Sequence, residues 1–110
     1  MGKNQEADAA ICPTVSGAFE LLGRKWVGLI VHVLDDGEKR FCELEKAVPA
    51  MSSRMLAARM KELEEAGIVI RTVYTGSPVR VTYRLSGKGA DLQPIMRGIE
   101  KWAWKWQNAG

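Results

Sequence analysis

A chain of 110 residues and 12.2 kDa, 46% hydrophobic and 26% charged, has the balance of one small globular domain, which excludes a disordered chain and a multidomain enzyme. Sixteen lysines and arginines against 13 acids leave a net +3, a bias that permits a polyanionic partner without arguing for one. Two cysteines, and no apolar run near the ~18 residues of a membrane span, exclude a secreted disulfide scaffold and a membrane protein and point to the reducing cytoplasm.

Residues 1–11 hold Lys3, Glu6 and Asp8 but few large apolar side chains and no h-region, so they read as a flexible leader. That leader sums to −1, which leaves +4 on the remaining chain. The folded domain is expected over 12–107. Cys12-Pro13 opens a first helix, because proline suits a first turn and Val15, Ala18, Phe19 and Leu22 follow at helical spacing. Gly23 stops it. A second helix is expected from Arg24 to Leu34, with Trp26, Leu29, Ile30, Val33 and Leu34 as its buried stripe, ended by Asp35-Asp36-Gly37. Arg40-Phe41 reads as a very short extended piece, Cys42 to Val48 as a short helix closed by Pro49. Ser52 is an N-cap for a fourth helix that runs to Ala66 and stops at Gly67.

Ile68 to Thr75 and Val79 to Leu85 are rich in β-branched and aromatic residues and flank Gly76-Ser77-Pro78, a hairpin signature. In its second strand Val79, Val81, Tyr83 and Leu85 alternate with Arg80, Thr82 and Arg84, giving one apolar and one basic face. Ser86 then caps a long final helix reaching Gln107, with Pro94 and Gly98 placed to bend or loosen it. The class is α+β, mainly α. Two short helices followed at once by a hairpin form a winged helix-turn-helix.

The fourth helix has two unlike sides. Leu56, Met60 and Leu63 make a core stripe, while Arg54, Ala57, Ala58 and Lys61 project away from it. The outer side is basic near its start, and its alanines let a backbone approach a surface closely. Ser52 and Ser53, with the free N–H groups of the first turn, are placed to hold a phosphate. Glu62, Glu64 and Glu65 gather at the far end, where they would repel DNA. Taken alone, this reads first as an ordinary amphipathic helix with a solvated face of mixed charge. The hairpin shifts that balance: Arg80 and Arg84 share its basic face and Arg71 lies on the partner strand, as expected of a wing laid along phosphates or a minor groove. Helix and wing together point to double-stranded DNA.

Several motifs in one order then resemble a known family. Cys12-Pro13, Leu22-Gly23-Arg24-Lys25-Trp26 with Leu29-Ile30, Gly37 with Arg40-Phe41 and Leu44, and Met51-Ser52 with Leu56 are similar to the HxlR-type regulators, winged-helix transcription factors related to the MarR group. Leu63-Glu64 with Gly67-Ile68-Val69, the hairpin from Tyr74 through Pro78-Val79 to Leu85-Ser86 and Gly89, and Leu92, Pro94 and Trp102 extend the likeness over Cys12 to Trp106. The resemblance implies a DNA-binding regulator, more often a repressor, that works as a homodimer. Its first and last helices would form the interface, and its two recognition helices would read a pseudo-palindromic operator. Phe19 on the first helix belongs to that expected interface. On the last helix Leu92, Ile95, Met96, Ile99, Trp102 and Trp106 form a stripe longer than one small domain needs to cover itself, and Trp104 falls on the opposite side, placed to meet the partner. Burial of the stripe within one chain is the competing expectation.

The resemblance also places Cys12 where one subgroup carries a cysteine that senses oxidants or electrophiles such as quinones and aldehydes. A thiol at a helix N-terminus has its thiolate favoured by the helix dipole; the alternative is a cysteine that simply caps the helix or packs there. Pairing with a C-terminal cysteine of the other subunit, known in some sensors of this kind, is ruled out because no cysteine follows Cys42. An electrophile or thiol adduct, or a Cys12–Cys12′ bridge, stays open, and Cys42 reads as structural. His32, the sole histidine, has no ligand pattern around it, and no Ser-His-Asp set, phosphate loop or paired carboxylates suggest catalysis, so neither enzyme activity, metal nor cofactor is expected. Two other functions fit the same residues: a winged-helix protein–protein adaptor, and a regulator governed by a non-covalent ligand with Cys12 inert.

Overall fold

The computed structural model describes residues 12–107; the expected leader lies outside them. Along these residues run α1 (Pro13–Leu22), α2 (Val27–Leu34), β1 (Lys39–Arg40), α3 (Phe41–Ala47), α4 (Ser53–Glu65), β2 (Val69–Tyr74), β3 (Arg80–Leu85), α5 (Gly87–Ala90) and α6 (Gln93–Gln107). The order is that of a winged helix-turn-helix: α3 and α4 are the paired helices, and β2 and β3 are the wing. β1 joins the far edge of β3, so the antiparallel sheet has the order β1-β3-β2 and β3 is its central strand.

Local chemistry sets most element ends. The Cys12 sulfur accepts the Val15 N–H at 3.4 Å, and Pro13 occupies the first turn of α1. The Glu43 carboxylate reaches back to the Arg40 N–H at 2.7 Å and starts α3. Ser52 caps α4 by accepting the Met55 N–H at 3.1 Å, and Gly67, at φ +77°, turns the chain out of it.

The core lies between α2, α3, α4 and the sheet. Val27, Ile30, Val31 and Leu34 of α2 meet Leu44, Leu56, Met60 and Leu63, with Ile68, Val69 and Met96 completing the cluster. This corrects the expected face of the second helix. Trp26 stands before α2 at φ +80°, Leu29 is exposed, and Val27 and Val31 take the buried places. Between Val27 and Leu34 every residue but Gly28 and His32 is a large apolar one, so spacing could not choose among faces.

The final helix is also not continuous. Ser86 caps only the single turn α5, its hydroxyl oxygen accepting the Gly89 N–H at 3.0 Å. Asp91 and Leu92 then form a turn, and α6 starts anew with Pro94 in its first turn, because proline has no N–H to carry a helix through from Ala90. Gly98 does not interrupt α6. Gly89 is required where it sits: a Cβ there would stand 2.2 Å from the Ile68 carbonyl oxygen. The missing side chain lets α5 lie close against the start of the wing, where the Ser86 N–H donates to the Ile68 carbonyl at 2.9 Å.

Three contacts strap the first half of α6 to α2. Buried Gln93 donates to the Val31 carbonyl at 3.3 Å, Arg97 pairs with Asp35 at 3.4 Å, and His32 faces Glu100 at 3.1 Å. Beyond Glu100 the helix carries Trp102, Trp104 and Trp106, all exposed. No helix among the described residues is long and apolar enough to cross a membrane.

Candidate functional site

α4 separates its two faces as its periodicity requires. Leu56, Met60 and Leu63 are buried, whereas Ser52, Ser53, Arg54, Ala57, Ala58 and Lys61 are all exposed. Positions 54, 57, 58 and 61 recur at the spacing of one helical stripe, so their side chains share one outward surface. The first turn is less open than expected. The Ser53 hydroxyl donates to the Glu45 carboxylate, and the Ser52 oxygen already holds the Met55 N–H. At the acidic end, Glu62 is neutralised by Arg24 at 3.2 Å and by Arg59 at 3.1 Å, and Arg59 also donates to the Lys25 carbonyl at 2.9 Å. Glu64 and Glu65 remain exposed there.

The wing differs more from its expected form. Residues paired across a sheet share a face. Tyr74 pairs with Arg80, Thr72 with Thr82 and Ile70 with Arg84, so Arg80 and Arg84 do share one face, and both are exposed. Arg71 pairs with Tyr83 and projects from the opposite face. The three wing arginines therefore do not form one patch. Thr82 is only 7% exposed, because β3 is the central strand and Thr72 and Arg40 flank Thr82 on either side.

Glu38, just ahead of β1, lies over this face. Its carboxylate accepts the Tyr74 hydroxyl at 2.8 Å and the Thr82 hydroxyl. The Arg80 guanidinium lies 5.1 Å from the centre of the Tyr74 ring, a cation–π distance. The Thr82 and Tyr74 hydrogen bonds hold the Glu38 carboxyl below its ordinary value, and the bond to Glu38 holds the Tyr74 phenol above its own. Glu38, Tyr74 and Arg80 line an open cleft of about 570 Å³ between α3 and the wing, together with Arg40, Cys42 and Lys46.

The expected dimer residues divide. Met96 is 8% exposed and belongs to the core, with Leu92 packed against it, so these two are used within the chain and Met96 offers nothing to a partner. Ile95, Ile99, Trp102, Trp104 and Trp106 are exposed on α6, and Phe19 is 72% exposed on α1. Trp104 lines a shallow groove with Pro94, Arg97, Gly98 and Lys101. Cys12 is an exposed free thiol. Cys42, expected to be structural, is exposed as well. Among the described residues no three His, Cys, Asp or Glu side chains gather into a metal site.

A family model described as HxlR-like helix-turn-helix matches residues 21–110. The chain belongs to the HxlR-like helix-turn-helix family. The HTH-type transcriptional regulator YodB of Bacillus subtilis (strain 168) is 48% identical over 93 residues, 84% of this chain and 83% of its own length. The reduced form of YodB matches with a TM-score of 0.81 at 46% identity, covering 90% of this chain and 97% of that one. Its diamide-treated and quinone-bound forms each match with a TM-score of 0.75. The redox regulator HypR in its oxidised form matches with a TM-score of 0.79 at 37% identity, over 86% of this chain and 96% of that one. A MarR-family structure from Porphyromonas gingivalis W83 matches with a TM-score of 0.77 at 32% identity, over 84% and 89% of the two chains.

Membership makes the chain an HxlR-type transcriptional regulator with a DNA-binding helix-turn-helix. The family match begins at Leu21, so Cys12 and most of α1 precede it. In this HxlR-type chain, sequence reasoning passed over Glu38, Arg40, Lys46 and Tyr74 at the cleft. Arg40 joins the Arg80–Arg84 face only through its pairing with Thr82, which no local pattern encodes. A carboxylate between Gly37 and Lys39 gave no signal of its own, because its partners lie 36 and 44 residues away.

Proposed function

We infer that this regulator binds a pseudo-palindromic operator as a homodimer in the cytoplasm and represses by occupying it, with release governed by the state of Cys12. The observation that carries the reading is the outward face of α4. Arg54, Ala57, Ala58 and Lys61 are free of the core, on a helix whose other side is fully engaged. Such a helix enters a major groove by its N-terminal half. Arg54 then reads a guanine edge, and Lys61 and the first turn meet phosphate, the Ser53 hydroxyl exchanging Glu45 for the backbone. Arg84 follows the flanking phosphates and Arg80, nearest the hairpin tip, enters the adjacent minor groove, while Arg71 faces away from them.

The homodimer is supported by the exposed Phe19, Ile99, Trp102 and Trp106, a quantity of apolar surface unusual on a finished monomer. Control through Cys12 is supported by its exposure and by the likeness to structures of diamide-treated and quinone-bound YodB. With a quinone, the thiolate adds to a ring carbon and the ring takes up a proton, leaving a thioether-linked hydroquinone. With diamide, two thiols give their hydrogens to the N=N bond and a disulfide forms, to a small thiol or to the partner copy's equivalent sulfur. Either product removes the sulfur from the Val15 N–H and disturbs the first turn of α1.

Selection of a duplex from a randomised pool, followed by binding titrations, tests the reading. The wild type selects a palindromic sequence and releases it on treatment with a quinone or diamide, while Cys12→Ser holds it under both. Binding that ignores both sequence and salt would favour a protein adaptor. Release from Cys12→Ser as complete as from wild type would place control in a non-covalent ligand or another thiol.

A further inference from the structure

The cleft between α3 and the wing contains a carboxylate in the wrong place for a surface meant only to attract phosphate. Glu38 is exposed, yet it is tied twice to the wing: to Tyr74 on β2 and to Thr82 on β3. Tyr74 in turn carries Arg80 against its ring, and Tyr74 and Arg80 are directly paired across the strands. The order of contacts is therefore Glu38, Tyr74, Arg80. A long arginine on a strand near a hairpin tip otherwise samples many rotamers, and ordering it on binding costs free energy each time. Here the phenol is held by its hydroxyl end, so the ring presents a fixed surface to the guanidinium.

Glu38 also lowers the positive potential of the face it lies on, where Arg80, Arg84 and Arg40 are neighbours. That weakens attraction to any phosphate backbone irrespective of sequence, the component that gives non-specific binding. The two effects point the same way: attachment to random DNA is reduced, and the one arrangement in which Arg80 fits is kept.

The geometry points to Glu38 as a specificity-determining, positioning residue of the DNA-binding wing, which orients Arg80 through Tyr74 while discounting non-specific phosphate contact. This rests on the DNA-binding reading above.

Two variants separate its parts. E38Q removes the charge and weakens the tie; Y74F keeps the ring under Arg80 but removes the hydroxyl that Glu38 holds. Each is compared with wild type on the duplex that wild type selects and on a random duplex of equal length, across a series of salt concentrations. For E38Q, affinity for the random duplex rises and its salt dependence steepens by up to about one phosphate contact. The ratio of selected to random affinity falls roughly tenfold, the discrimination that one oriented arginine carries. For Y74F, random-duplex affinity and salt slope stay at wild-type values while the ratio falls roughly fivefold.

A uniform loss on both duplexes, as from simple destabilisation, overturns the proposal. So does an equal gain on both with the ratio unchanged, which would make Glu38 a charge and nothing more. Alkaline absorbance titration of the free protein checks the contact without DNA. Of the two tyrosines, one titrates above the ordinary range in wild type and returns to it in E38Q; identical titrations of the two proteins overturn the assignment. If wild type selects no duplex but the tyrosine titration shifts as expected, the DNA reading has failed and this role falls with it, although the contact stands.

Discussion

The stretch from α2 through β3 and the two outer helices α1 and α6 treat apolar residues in opposite ways. Between Val27 and Val69 nearly every large aliphatic side chain that faces inward is sealed, with Ile30, Leu44, Leu56 and Leu63 at 1% exposure or less. Along α1 no residue is buried, and along α6 only Gln93 and Met96 are. Phe19 and Trp102 stand at 72% and 66% exposure. Aromatic side chains are the costliest apolar groups to leave in water, because each carries 150–250 Å² of surface. Among the described residues the DNA-reading unit is thus completed by its own chain, whereas the outer helices keep apolar surface that these residues leave uncovered.

The contrast is broken most severely from the inside. Leu63→Ala, at a fully buried site, should lower unfolding free energy by about 2–5 kcal/mol in a denaturant titration and do so at every protein concentration. The paired change Trp102→Ala with Trp106→Ala should leave dilute-protein unfolding nearly unaltered yet cost about 2–4 kcal/mol of self-association. Sedimentation at rising concentration reads the second effect. If the double variant instead unfolds like Leu63→Ala, the outer helix is part of the monomer's own core and the contrast is false.

Smaller effects sharpen the reading side. Arg54→Ala should lose about 1–3 kcal/mol of discrimination between the selected duplex and a single-base variant of it. Arg80→Ala should cost the selected duplex more than a random one, lowering their affinity ratio roughly tenfold, and reduce the salt slope by about 1. Arg71→Ala, on the opposite face, should change neither, and a loss comparable to that of Arg80→Ala would show that the wing meets DNA by its other side. The smallest effect concerns acid. The Glu38 carboxyl titrates below its ordinary 4.5, so its tie to the wing contributes fully above that value and is lost as pH falls through the lower folded value. Tyr74 ring resonances should hold steady from neutrality to about pH 5 and move only under more acid conditions, and E38Q should abolish the movement.

What could be read from residues alone follows a physical division. Element order was legible because its signals are local: Ser52 caps and Gly67 ends α4, and Gly76-Ser77-Pro78 separates two β-branched runs. The exposed face of α4 was legible because its polar and apolar residues alternate with helical period. α2 was not, since a helix apolar on nearly every side has no face to detect. The break in the final helix does have a local signal, Pro94, which lacks the N–H to carry a helix through from Ala90; the cap at Ser86 obscures it, being as good for one turn as for a long helix. The wing failed for a different reason. Which arginines lie together depends on register, and register depends on pairings such as Arg71 with Tyr83 and Arg40 with Thr82 that join distant parts of the chain. Glu38 is the extreme case, meaningful only once three strands have met.

The strap between α6 and α2 has a mechanical corollary. A helix of 15 residues is about 22 Å long, and this one is fastened along its first half through Gln93, Arg97 and Glu100, leaving about 10 Å beyond them that carries the tryptophans. It is a lever with its fulcrum on the DNA-reading unit. A tilt of about 10° at Glu100 carries the far end through about 2 Å. Two such levers joined at their tips would transmit each small tilt to the separation of the recognition helices, which must match one helical turn of DNA, about 34 Å, to bind both half-sites.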